Sequence, residues 1–266
     1  FDKLSPHPDD WLILCGDVCE SVQHLEHAAR VATARFARVL WVPGNHELWT
    51  LPPETERGEA RYLACVRRCQ ALGVLTPEDP FPRWEGEGGS CILAPLFLLY
   101  DYTFRPPSVT REGALAWARE SGIECVDEDL LHPDPYPSRD AWCAARCELS
   151  GRRLEEASRE GLPLVLINHW PLRQDLVRIP RVPRFSIWCG TTRTEGWHLR
   201  YRASVVISGH LHVRATDWRD GVRFEEVSIG YPRQWQPERG IDSYLRLVLP
   251  GPPPPPGGEA PTVWRR

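Results

Sequence analysis

The stretch 11–17 reads WLILCGD, and the stretch 39–47 reads VLWVPGNHE. Each is a short, unbroken apolar run that halts at glycine and polar residues. A run of this length without alternation fits a strand buried on both faces. Between the two, Val22, Leu25, Ala29, Ala32 and Phe36 recur every three or four positions, the stripe of an amphipathic helix within 20–38. Strand, helix and strand in that order predict parallel pairing through a right-handed crossover. The fold class is therefore α/β. Open sheets of this kind bind ligands beyond the carboxyl ends of their strands. Asp17, Asn45 and His46 fall at such ends.

The pattern continues downstream. A helix is predicted over 56–72, and CILAPLFLLY at 91–100 reads as a long strand. Residues 101–139 are rich in Pro, Asp and Glu and too poor in apolar residues for a core of their own. They read as an insertion or loop region inside one domain spanning 1–249. A helix resumes over 140–159. LPLVLI at 162–167 is a strand leading into Asn168-His169, and a short helix is predicted over 192–201. ASVVIS at 203–208 is a strand leading into GHLH, which holds His210 and His212. Shorter strands follow at 213–218, 224–229 and 244–249, the first two joined by an Asp220-Gly221 turn. The Pro-rich tail 250–266 contains PGPPPPPGG and reads as extended or disordered.

Bulk properties narrow the classes. A chain of 266 residues suits one domain. The net charge of −4 lacks the basic footprint of a nucleic-acid binder. No apolar run approaches the roughly 18 residues of a membrane span, and no signal-peptide pattern is visible. Nine scattered cysteines, an odd number, read as reduced thiols and point to the cytoplasm. Cys65 with Cys69, and Cys143 with Cys147, read as small buried residues on helix faces rather than zinc pairs. There is no methionine, and the chain opens at Phe1 without a cap or strand start. The natural start is expected further upstream.

Four apolar strands thus lead into Asp17, Asn45-His46, Asn168-His169 and His210 with His212. Any one of these is ordinary turn chemistry. Together they place a carboxylate, an amide oxygen and several imidazoles at one mouth. Nitrogen and oxygen donors without thiolate suit divalent transition metals. The two histidines of GHLH are spaced i,i+2, so in extended chain both would point the same way.

GDVCE, GNHE, the NHWP histidine and GHLH resemble the ordered motifs of the calcineurin-like metallophosphoesterases, which read DxH, GD, GNH[DE], H and GHxH. The resemblance spans about 11–249. LLYDYTFRP and WCGTTRTEGWH look like an actinobacterial branch, which brings no known substrate. The resemblance implies a four-layer α/β/β/α sandwich with two mixed central sheets. It implies two divalent ions, manganese foremost, with iron, zinc and nickel also compatible. Asp17 would bridge them. Asn45, through its amide oxygen, His169 and His210 would bind the second, and His212 the first. His46 would touch the scissile phosphate and act as general acid, with Glu47 orienting it. Glu20 occupies a variable position and receives no role. One motif departs from the pattern. DxH belongs on an earlier strand, and Asp2 and His7 have the wrong spacing to replace it. The first strand is expected upstream of Phe1, leaving the first site half-built and the second nearly whole.

The implied activity is hydrolysis of a phosphomonoester or phosphodiester by a metal-bridging hydroxide, with His46 protonating the leaving oxygen. A small-molecule phosphoester is the expected substrate, held by Asn45 and His46. Nucleic acid is disfavoured by the acidic balance. Tyr100 and Asp101 are candidates for substrate contact or for support of the site, against a bland reading as core edge and turn cap. Trp170, Trp188 and Trp197 could wall a substrate, though ordinary packing explains them as well. The alternative is a scaffold that keeps the fold without catalysis. Retention of His46, Asn45 and both GHLH histidines favours the enzyme.

Overall fold

The computed structural model describes residues 1–265. In chain order the strands are β1 (His7–Cys15), β2 (Phe36–Val42), β3 (Arg83–Trp84), β4 (Cys91–Pro95), β5 (Leu164–Ile167), β6 (Ala203–Ser208), β7 (Arg214–Arg219), β8 (Val222–Val227) and β9 (Ala260–Trp264). The α-helices are α1 (Val22–Thr33), α2 (Asn45–Leu48), α3 (Gly58–Ala71), α4 (Ala114–Arg119), α5 (Asp127–Leu130), α6 (Arg139–Ser158) and α7 (Trp197–Arg200). Ser21 and Ser138 cap α1 and α6, each accepting a backbone N–H three residues on. No described helix is long and apolar enough to cross a membrane.

Strands β1 and β2 pair in parallel as a two-stranded sheet, with α1 as the crossover. The larger sheet runs β3-β4-β5-β6-β8-β7-β9, parallel from β4 through β6 to β8 and antiparallel elsewhere. The apolar runs explain the layering. Side chains alternate across a strand. On β2, Leu40 and Val42 join Leu93, Val165, Ile167, Val205 and Ile207 in one core, where the two sheets face each other. The alternate residues Val39, Trp41, Ile92, Leu164, Leu166 and Val206 point into a larger core shared with the helices. Both faces of each sheet are covered, as expected of a four-layer α/β/β/α sandwich.

Several predicted elements differ. The strand at 91–100 ends at Pro95. The Leu96 amide still donates to the Ile167 carbonyl at 2.8 Å, after which Phe97–Tyr100 form a buried loop. Apolar length there reports burial, not pairing. The 101–139 segment carries α4 and α5, and it is no surface excursion: Tyr102, Ala114, Ala118 and Leu131 enter the main core. The helix predicted at 192–201 divides at Gly196 into a 3-10 turn, Thr192–Thr194, and α7. Residues 245–249 form no ladder. Together with Trp11, Leu12 and Leu14 of β1, Leu245, Leu247 and Leu249 line a mainly apolar groove of about 410 Å³. With no strand at hydrogen-bonding distance, an alternating sequence alone makes no sheet. The tail is also not wholly free. Beyond the proline run, Ala260–Trp264 adds an antiparallel edge strand to β7. Pro261 is tolerated because edge strands do not need every N–H.

Candidate metal centre

The residues expected at the mouth all follow strand ends. Asp17 lies two positions past β1, and Asn45 and His46 start α2 just past β2. His169 follows β5, and His210 and His212 follow β6. The turns are tight. Gly16 and Asp17 have φ of 78° and 52°, and His210 and His212 have φ of 73° and 53°. The left-handed region is costly for residues with a Cβ, and such backbone clusters at functional sites. Gly16 admits no side chain, since a Cβ would lie 2.5 Å from His169 Nδ1. The GHLH segment is therefore a turn, and the alternation of extended chain does not apply to its histidines.

Asp17, His169 and His210 each offer a ligand atom within 4.8 Å of the others'. His169 Nδ1 sits 2.9 Å from the Cys15 carbonyl, which can only accept, so Nδ1 carries the proton. That leaves Nε2 facing Asp17 Oδ2 at 3.2 Å and His210 Nδ1 at 3.2 Å. A backbone carbonyl that fixes the tautomer in this way is the usual support of a metal-binding histidine. Burial alone would raise the Asp17 carboxyl, but the His169 imidazolium beside it wins and holds it below the ordinary range. His169 is the reciprocal case: burial pulls it down and Asp17 lifts it above its ordinary value. His210 is pushed down to about 3 by burial, then by His169, and stays a neutral donor.

Asn45 Oδ1 is among the buried polar atoms that have no hydrogen-bond partner within the described residues. Unpaired buried polar atoms are rare, and each calls for an explanation. A divalent cation would supply one for Asn45 Oδ1, which has a free lone pair, while His210 faces the Asp17–His169 pair through Nδ1. The donor set fits such an ion. His212 lies outside the three-residue group. Its ring meets Tyr231 edge-on at 4.4 Å, and it still feels the Asp17 charge. Asp2 and His7 do not approach. Asp2 pairs with His27, and His7 stacks on Phe36 at the opposite end of β1.

His46 is partly exposed. Its amide donates to Asp17 Oδ1 at 3.2 Å, its Nδ1 lies 3.2 Å from Glu20 Oε1, and its ring tilts on Trp49 at 3.8 Å. Glu20, given no role above, is thus its acidic neighbour. Glu47 does not orient His46. Fully buried, it accepts from the backbone amides of Gly44, Asp17, Val18 and Cys19 at 2.8, 3.0, 2.5 and 3.3 Å. It pins the two ligand turns to each other. Burial, then Asp17, raises its carboxyl, while His169 and these amides favour the anion.

Around these residues the packing is tight. Tyr100 is fully buried against Tyr102 and Trp170. Asp101 accepts from Thr103 and Thr191 and stabilises a turn. Trp170, Trp188 and Trp197 are packed inside, with Trp170 against His169 and His210. Asp127 was invisible in the sequence, being one acid among many in an irregular segment. It accepts from Asn45 Nδ2 at 2.9 Å and from Trp49 Nε1 at 2.7 Å.

A family model described as calcineurin-like phosphoesterase matches residues 1–214. The chain belongs to that family. Calcineurin-like phosphoesterases are hydrolases that use divalent metal ions, and this chain is a metal-dependent phosphoesterase. It is 48% identical over 253 residues to the [acyl-carrier-protein] phosphodiesterase PptH of Mycobacterium tuberculosis, covering 94% of this chain and 78% of that protein. The crystal structure of that organism's phosphopantetheinyl hydrolase (PptH) superposes with a TM-score of 0.89 at 47% identity, over 94% of this chain and 90% of that one.

Proposed function

We propose that this chain is a phosphodiesterase acting on an acyl carrier protein, hydrolysing the phosphodiester through which phosphopantetheine is attached. The observation that carries the substrate reading is the near-full-length likeness to PptH. The substrate is then a modified protein rather than a free small molecule. The site supports the chemistry. Asp17, Asn45, His169 and His210 would hold one divalent ion, and Asp17 with His212 would contribute to a second. Such ions activate water and neutralise phosphate charge. The protein's own part is positioning. The Cys15 carbonyl fixes the His169 tautomer, and Glu47 locks the turns that carry Asp17 and Asn45. His46, at the rim, can donate a proton to the departing oxygen. The hydrogen bond from its backbone N–H to Asp17 Oδ1 holds its turn beside the candidate metal ligands.

The test is direct. The chain, supplied with Mn²⁺, is incubated with a phosphopantetheinylated carrier protein, and loss of the arm is followed by mass spectrometry beside hydrolysis of bis-p-nitrophenyl phosphate. Release of the arm is expected, with His46→Ala slower by about 100- to 10,000-fold. Turnover of the nitrophenyl ester with the carrier protein left intact would refute the substrate reading.

A further inference from the structure

We infer that Asp127 is a positioning residue, which sets the direction of the Asn45 amide and so presents Oδ1 to the metal. The inference rests on the metal-site reading above. Asn45 is 5% exposed, and among the described residues its only side-chain hydrogen bond runs from Nδ2 to Asp127 Oδ1 at 2.9 Å. The two ends of a primary amide are nearly the same size, so shape does not choose between them. A carboxylate can only accept. Facing Asp127, the amide must turn its NH₂ group inward to the acid and its oxygen outward to the mouth. That oxygen is the one left without a partner.

The acid itself is held firmly. Asp127 is fully buried at the start of α5, in the segment that had read as a loose insertion. Arg139 Nη2 donates to the carbonyls of Asp127 and Glu128 at 2.6 and 2.8 Å, and Arg139 Nε donates to that of Leu131 at 2.8 Å. The guanidinium thereby clamps the whole turn of α5. Asp127 Oδ1 also takes the Trp49 indole N–H at 2.7 Å, and Trp49 carries the His46 ring on its face. One carboxyl oxygen therefore braces a metal ligand and the platform of the proton donor. Asp127 would touch neither metal nor substrate.

The measurement is Mn²⁺ affinity by titration calorimetry on the full chain, alongside its metal-free melting curve. Asp127→Ala is expected to weaken Mn²⁺ binding by about 10- to 100-fold, the range typical of lost outer partners of ligands. Asp127→Asn keeps an acceptor oxygen for both donors and should recover most of the affinity. In an Asn45→Ala background, Asp127→Ala should weaken binding no further, because its route to the metal is gone. If the alanine variant does not fold, Asp127→Ser supports the same comparison. Affinity within twofold of the parent in the alanine or serine variant overturns the inference. So does an undiminished loss in the Asn45→Ala background, which marks a merely structural acid. Affinity is read without substrate, so failure to cleave a carrier protein would sink the substrate reading and leave this one standing.

Discussion

Glu47→Gln isolates the device that joins the two ligand turns. In the parent, Oε1 accepts from Val18 and Cys19, and Oε2 accepts from Asp17 and Gly44. An amide keeps one acceptor oxygen and turns an NH₂ group toward the other two amides. Two backbone N–H groups in a buried site then lose their partner, at about 1–3 kcal/mol each. The expected loss is about 4 kcal/mol, a large share of the roughly 5–15 kcal/mol that holds a domain folded. With a urea dependence of roughly 3 kcal/mol per molar, the unfolding midpoint should fall by about 1.3 M. Mn²⁺ affinity should fall with it, since Asp17 and Asn45 ride on the two turns. Urea unfolding followed by tryptophan fluorescence reads the first quantity and calorimetry the second. A loss below about 1 kcal/mol with affinity unchanged would mean that Glu47 is protonated and already lacks the extra acceptor capacity. That result would refute the anionic four-amide brace.

Two further outcomes are expected. Gly16→Ala forces a Cβ to within 2.5 Å of His169 Nδ1 at φ of 78°, so the His169–Cys15 hydrogen bond should break. Mn²⁺ affinity should drop at least tenfold, whereas Gly73→Ala, with open space around it, should leave affinity intact. Glu226 is pushed from an ordinary 4.5 up to about 8 by burial, against the opposing pull of Ser228. A raised carboxyl favours folding below its unfolded value and loses that contribution as pH climbs through its folded one. Metal-free stability should therefore decline between pH 5 and 8, and Glu226→Gln should flatten the decline in urea titrations at stepped pH. An equal slope in parent and variant would remove Glu226 from the account.

The continuous apolar runs WLILC, VLWV, LPLVLI and ASVVIS were enough to place β1, β2, β5 and β6, because a strand covered on both faces admits little else. Their polar successors located Asp17, Asn45, His46, His169 and His210 at one mouth. The errors came where burial and pairing part company. Residues 96–100 are as apolar as any strand and are buried as loop, while 245–249 alternate well and find no partner. Strand β9 was missed because a proline run masks the short pairing segment behind it.

The sequence by itself thus determined the α/β class, the candidate ligand types and their order along the chain, because periodicity and strand-end chemistry are local properties. Only the tertiary structure decided how the site is braced. Asp127 sits 82 residues from Asn45 in the chain, and Glu47 reaches back about thirty to the Asp17 turn. No local pattern marks Asp127, and the GNHE motif that contains Glu47 does not tell that it reaches the Asp17 turn. Their roles follow from which donors the packed layers leave within 3 Å, and that is settled only when distant segments share one core.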